Sequence, residues 1–381
     1  MDRITAINPQ RVAWCFADLG LTPEQVATDL GLASGKLRAV LDNDGSLTFA
    51  QLRTLAEYFG RSVLFFLDPT PVDAERVHSP QFRTMAGQKS DLSRRVRHLM
   101  QRAERQRAVY QDLLNDLEGA DQPRFAPPRL PSDPVAAARL ARDWLALGAA
   151  NSFDAYRAAV EDKGVLVFRT NGYAGKWQIA KESPILGFSF YDAAMPMIVV
   201  KKQDAEARQT FTLLHELGHV LLHRTSSVDD EADLRATEGM EREANQFAAH
   251  LLVPDSLLAA LRDVDRPADV SQLDAWLRHV RAASGASADV ILLRLVGAGR
   301  LSQAVYEAHR AWRLQQPGKQ GERGSREYRY REPRHVFGDR FVRTVLGALG
   351  ARHITLSKAS DYLDGLKVAD LHKLERFYAG A

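Results

Sequence analysis

The sequence predicts a mostly α-helical protein with a small β-sheet, and three observations carry that expectation. Apolar residues recur at helical spacing through most of the chain. Strand-like runs are confined to three short stretches between residues 165 and 200. The sharpest local motif, His215-Glu216-Leu-Gly-His219, brings its side chains together only on a helix. At 381 residues the chain is long enough for two or three domains. With 45% apolar and 26% charged residues it reads as globular, and a net charge of +3 does not by itself mark a nucleic-acid binder. The single cysteine, Cys15, excludes an internal disulfide and a Cys-based zinc site; its neighbours Val12, Trp14, Phe16 and Leu19 predict a buried thiol. No apolar run approaches the ~18 to 20 residues needed to span a bilayer. The start, Met1 to Pro9, lacks the apolar core of a signal peptide. A cytoplasmic protein without a membrane partner is expected.

Residues 8–67 read as five short helices. Asn8 caps the first, Pro9 takes the first helical position, and Val12, Phe16 and Leu19 follow at helical spacing until Gly20 stops it. Thr22-Pro23-Glu24 opens the second, with Val26 and Leu30 inward and Gly31 at its end. Ser34 is the expected cap of a third, carrying Leu37, Val40 and Leu41. After the turn Asp42 to Gly45, Thr48 begins a fourth helix bearing Leu52, Leu55 and Phe59, and Val63 to Leu67 closes the module at Asp68-Pro69. These lengths and turns are those of a helix-turn-helix DNA-binding module of the repressor type, assigned to residues 1–69. Its reading helix runs from about Ser34 to Leu41, so Ser34, Lys36 and Arg38 are the candidates for DNA contact. A helical module that binds protein, or folds back on its neighbour, is the other reading.

Residues 70–134 connect this module to the next. They comprise a loop, a helical stretch from Ser90 to Leu117 dense in arginine (Arg94, Arg95, Arg97, Arg102, Arg105, Arg107), and a proline-rich linker ending at Pro134. Residues 135–314 form the second domain. A helix with Trp144 and Leu145 inward precedes strands at Val165–Phe168, Ile185–Phe190 and Met197–Val200. A helix from about Asp204 to His223, an acidic loop and a helix from about Met240 to Leu252 follow, the last stopped by Pro254. Residues 315–335 read as a linker. There Arg326, Arg329, Arg331 and Arg334, interleaved with Tyr328 and Tyr330, offer phosphate and stacking contacts, although an exposed linker edge accounts for them as well. Residues 336–381 are a helical C-terminal segment with Phe341, Val345, Leu349, Tyr362 and Leu363 as core candidates.

His215 and His219 stand four residues apart, so on a helix both imidazoles can reach one cation. Glu216 then reaches a water at that cation without being a ligand, as a general base must. Leu213, Leu214, Val220 and Leu221 bury the helix, and Gly218 leaves room for a close neighbour. The motif arises by chance about once in seventy chains of this composition, so a third ligand has to be found. The following helix offers Glu238, Glu241 and Glu243. Glu241, one turn before Asn245, is the choice; Glu243 lies roughly 160° further round, so only one of the two faces the metal. Asn245 is expected to steady a helix partner or a ligand imidazole, and His223 and His250 are weaker candidates for stabilising the oxyanion. Two histidines and a carboxylate favour Zn2+ without excluding manganese. The strand Met197–Val200 is a candidate edge for an added substrate peptide.

His-Glu-Leu-Gly-His with a trailing Leu-Leu-His, followed by Glu-x-Glu-Ala-Asn-x-Phe-Ala-x-x-Leu-Leu-x-Pro, resembles the ImmA/IrrE family of metallopeptidases over about residues 135–300. Val253 departs from the Met usual before Pro254. The resemblance implies a gluzincin-like α/β zinc peptidase core, with His215, His219 and Glu241 as ligands and Glu216 as base. It further implies site-specific cleavage of a regulatory protein, typically a helix-turn-helix repressor. The N-terminal helices, with the string Leu52 to Gly60, Phe65 to Pro69 and Gln81-Phe-Arg83-Thr, resemble the XRE-like domains often fused upstream of such peptidases. DNA therefore stays open as a partner, as does a homo-oligomer. The alternative is a DNA-binding or antitoxin-like regulator in which the metalloprotease fold senses a ligand or holds a partner without turnover.

Overall fold

The computed structural model describes residues 3–73, 85, 88–89, 92–117, 124–172, 175–316 and 326–380. They fall into two compact units: Met1–Ala86 with Ser90–Gln101, and Gly87–Lys89 with Arg102–Ala381. Most of the described residues are helical, and the strands are short. The string Gln81-Phe-Arg83-Thr lies outside the described residues.

In the first unit, α1 (Pro9–Leu19), α2 (Pro23–Asp29), α3 (Ser34–Leu41), α4 (Phe49–Tyr58) and α5 (Val63–Leu67) surround one core. Asn8 caps α1, and Thr22 and Thr48 each make reciprocal caps with the glutamine three residues on. Val12, Cys15, Phe16, Val26, Leu37, Leu52, Leu55, Phe59 and Phe66 are buried together. Ala33 holds the N-cap position and Ser34 begins the helix, one position later than expected; what the Ser34 side chain contacts lies outside the described residues. Two strands that lacked a sequence signal, β1 (Arg3–Ile4) and β2 (Leu47–Thr48), pair antiparallel beside this core. Arg11 is buried, donating to the Phe65 and Thr70 carbonyls and pairing with Asp68 at 2.8 Å, which fixes the end of α5 to α1.

Helix α6 (Arg94–Asp116) contributes residues to both units. In the second unit, α7 (Pro134–Trp144) and α8 (Phe153–Glu161) lead to a four-stranded sheet of β3 (Leu166–Arg169), β4 (Ile185–Phe190), β5 (Met197–Val200) and β6 (Ser227–Asp230). The strand order is β3-β5-β4-β6; β3 runs parallel to β5 and the other pairs are antiparallel. This corrects two expectations. The acidic loop holds a strand, β6. Strand β5 lies inside the sheet, so it has no edge for a substrate; the sheet's edges are β3 and β6.

Alternation sorts the side chains to two faces. Val165, Val167, Ile198 and Val200 join the core formed with α7, α8, α9 (Glu206–Gly218) and α10 (Gly239–Leu252). Phe168, on the opposite face, meets Trp177, Phe337 and Phe341, each ring pair within 5.5 Å. Each such aromatic side chain withdrawn from water contributes about 1.5–3 kcal/mol. After α10 come the short helices Asp255–Ala259, Leu273–Trp276 and Arg278–Ser284, then α11 (Ala288–Gly297) and α12 (Gln303–Leu314). The C-terminal segment supplies α13 (Glu332–Gly350), bent at Gly338, with α14 (Leu356–Tyr362) and α15 (Val368–Ala379). Among the described residues, no helix is long and apolar enough to cross a membrane.

Candidate metal centre

Helix α9 carries the motif residues because its apolar side faces the sheet: Leu213, Leu214 and Leu217 are fully buried. At His219 the backbone widens into a π-turn, His219–His223, ending at Arg224 in left-handed conformation. Gly218 lets α10 approach, since a Cβ there would stand 3.2 Å from the Ala244 Cα and 3.3 Å from Phe247. The close crossing of the two helices brings Glu241 over the histidines.

The His215 and His219 Nε2 atoms lie 3.1 Å apart. Glu241 Oε2 is 3.3 Å from the first and 3.2 Å from the second. A fourth donor joins them: Asp229 Oδ2 on β6, 3.4 Å from His215 and 3.5 Å from His219. The donor atoms of all four residues lie within 4.8 Å of one another, a group that can hold a metal ion. Tetrahedral nitrogen and oxygen ligands about 2.0–2.1 Å from zinc stand roughly 3.3–3.4 Å from each other, so the donor set fits that ion in both chemistry and spacing. Sequence reading missed Asp229. The only local hint is Ser227-Val228-Asp229, where period-2 alternation turns Asp229 away from the buried Val228.

Charge within the cluster is mutually supporting. Burial works against the His215 imidazolium, but hydrogen bonds and charge from Asp229 and Glu241 outweigh it and lift its pKa to about 9. Burial likewise opposes ionisation of Glu241, yet the two imidazoles bring it down to about 2. Asp229 is held well below the usual carboxylate range by the same histidines, against its burial.

Glu216 is fully buried beside this group. Burial, with the nearby Asp229 charge, raises its carboxyl well above the ordinary value. Ser189 and Asp229 are near enough to influence it, but neither makes a hydrogen bond of ordinary geometry, so both Glu216 oxygens are unpartnered. Gly187 on β4 makes room for the carboxyl: a Cβ there would meet Oε1 at 2.7 Å.

The remaining candidates separate. His223 Nδ1 lies 3.0 Å from His219 Nδ1, and its Nε2 is 3.1 Å from Glu243 Oε2. A carboxylate–imidazole–imidazole chain of this kind fixes the His219 tautomer with Nε2 turned to the cluster. Burial lowers the His223 pKa, in keeping with a neutral ring. Glu243 therefore serves His223, while Glu241 faces the cluster. Asn245 donates to the Asp233 carbonyl at 2.9 Å rather than to an imidazole, steadying the turn after β6. His250 stands nine residues beyond Glu241, about 13 Å along α10. It lies among Arg294, Asp255 and Arg139, away from the cluster, and burial lowers its pKa to about 4. In the first unit, Lys36 donates to Gln51 at 3.0 Å and Arg38 pairs with Glu24 at 2.5 Å, so both basic side chains of α3 have partners within the module. Arg334 pairs with Asp339, and Arg331 lies over the Phe377 ring.

Comparison with known proteins bears on the same stretch of chain. A family model described as IrrE N-terminal-like domain, Peptidase_M78, matches residues 160–295, which span the sheet, α9 and α10. The uncharacterized immunity region protein 2 of Bacillus phage phi105 is 32% identical over 114 residues, covering 28% of this chain and 71% of the phage protein. The chain thus belongs to the IrrE N-terminal-like Peptidase_M78 family.

Proposed function

We propose that the chain is a regulatory zinc-dependent endopeptidase that hydrolyses a peptide bond in a regulatory protein of the transcriptional-repressor kind. The observation that carries this reading is the convergence of His215, His219 and Glu241 on one point, with Glu216 buried and unengaged beside it. A zinc ion held by those residues would supply Lewis acidity toward the scissile carbonyl and toward water. Glu216 accepts the proton of the attacking water and delivers it to the leaving amine; its water-excluded setting and raised proton affinity suit both transfers. His223 and Glu243 keep the His219 ring oriented. Helices α2 and α3 of the N-terminal unit serve as a helix-turn-helix element that locates substrate or operator. The immunity-region name of the phage relative supports a regulatory setting.

The test starts from bound metal. The protein and its His215→Ala variant are purified without chelators and their zinc is measured per chain. About one equivalent in the parent, lost in the variant, supports the site, and Glu216→Gln then serves as a trap for the substrate. No metal in the parent, and none taken up from added zinc, refutes the peptidase reading. One observation favours a second reading, a DNA-binding regulator without turnover: Asp229 completes four protein donors, the number typical of a structural zinc. Salt-sensitive, operator-specific binding unchanged by Glu216→Gln, with no cleavage, would support it.

A further inference from the structure

Resting on the reading that His215, His219 and Glu241 hold a metal, we propose that Asp229 is a fourth ligand in the resting protein, and that Gln88 and Lys89, strapped across the outer edge of β6, keep it there. The resting centre is then closed, and it opens when β6 gives way.

The case begins with where Asp229 is held. Its side chain is 2% exposed and accepts a 2.7 Å hydrogen bond from Ser227 Oγ, two residues back on the same face of β6. The inner edge of β6 pairs with β4. Among the described residues its outer edge is met by the Gln88 side chain: Gln88 Nε2 donates to the Ser226 carbonyl at 2.8 Å, and the Val228 N–H donates to Gln88 Oε1 at 3.2 Å. That pair of bonds is what a neighbouring strand would supply. Lys89 then ties the exit of the strand, 2.7 Å from Asp230 and 2.6 Å from Asp233.

Two features distinguish this closed centre from a purely structural one. Glu216 is fully buried beside the donors without being one of them, a placement that a purely structural site has no use for. The strap is also weak. Partly exposed ion pairs are screened by solvent, and two side-chain amide bonds are a small part of what a full neighbouring strand would supply. An extended peptide adding to the outer edge of β6 competes for the Ser226 carbonyl and the Val228 amide that Gln88 occupies. The segment that would receive the peptide is the one that carries Asp229.

The test uses the full chain, stripped with chelator and loaded with Co2+, titrated with azide while the visible spectrum is recorded. The parent is expected to bind one Co2+ and give a spectrum that azide leaves unchanged. Asp229→Ala is expected to bind Co2+ more weakly, on the order of 10- to 100-fold, and to change spectrum on adding azide. The Gln88→Ala/Lys89→Ala double variant, which keeps all four donors, is expected to respond to azide where the parent does not. A parent spectrum as azide-sensitive as that of Asp229→Ala overturns the proposal while leaving the metal site standing. If Asp229→Ala does not fold, azide sensitivity of the parent still overturns closure, and insensitivity of the double variant overturns the strap. No Co2+ uptake by the parent overturns the metal reading itself, and the proposal with it.

Discussion

Replacing Gly187 by alanine tests the placement of Glu216 without touching a metal donor. The new Cβ would lie 2.7 Å from Glu216 Oε1, 2.8 Å from Thr212 Cγ2 and 3.2 Å from the Val199 carbonyl oxygen. Comfortable contacts need about 3.5 Å, so the carboxyl and the threonine methyl must each withdraw by roughly 0.5–1 Å. The Val199 carbonyl belongs to the neighbouring strand β5 and cannot recede with them. Overpacking of this size costs about 1–3 kcal/mol, and the entropy saved by replacing glycine returns at most about 1 kcal/mol. The expected net loss is about 1–2 kcal/mol. In a Glu216→Ala background the nearest clash is gone, so the same change should cost about 1 kcal/mol less. Urea denaturation of chelator-treated protein reads both values, with Trp144, Trp177, Trp276 and Trp312 of the second unit as reporters. Metal uptake should be unaffected, while on the proposed function displacement of Glu216 lowers turnover by up to about 100-fold. A Gly187→Ala protein as stable as its parent, or one equally destabilised in both backgrounds, would refute the packing argument.

Two further outcomes follow from the same geometry. Glu241→Ala, which removes a donor, should weaken zinc binding more than Glu243→Ala, which acts only through His223 and should lower affinity roughly 10- to 100-fold; equal losses in a metal titration would contradict the assignment. His335 accepts from Arg169 at 2.8 Å, and burial together with the charges of Arg169, Lys202 and Arg157 pushes its pKa down to about 3, from 6.5 in the unfolded chain. The unfolded state therefore binds the extra proton first. The stability contributed by the neutral ring is complete above pH 6.5 and is lost as pH falls toward 3, by roughly 2–3 kcal/mol between pH 7 and pH 4 after allowance for partial exposure. Denaturation curves at the two pH values should show His335→Gln losing correspondingly less than the parent.

The sequence yielded what depends on local spacing. His215, Glu216 and His219 are set by one helical turn, and the i, i+4 rule that places them needs no tertiary information. Glu241 followed from the periodicity of α10 together with the family resemblance. Asp229 did not, because β6 has a single apolar residue, Val228, in an acidic run, and its strand conformation comes from pairing with β4. Strand order was equally hidden: β5 is the most apolar of the strands, a property of an inner strand that alternation alone cannot tell from an edge. The start of α3 was misplaced by one residue because serine suits both the N-cap and the first helical position, and the backbone of Ala33 decided between them. His250 shared a helix with Glu241 but belonged to the opposite end of it.

Arg157 sets a limit on where this protein can be divided. Its buried guanidinium donates to the Val167 carbonyl on β3 and to the carbonyls of Arg334, His335 and Val336 at the start of the C-terminal segment. Phe337 and Phe341 from that segment cover Phe168. A chain ended after α12 would bare both the aromatic face of the sheet and a cation with most of its acceptors gone, so it should be less stable than the full chain. Conversely, a backbone cut between Gln316 and Arg326 should leave two fragments that stay associated and can be reassembled by mixing.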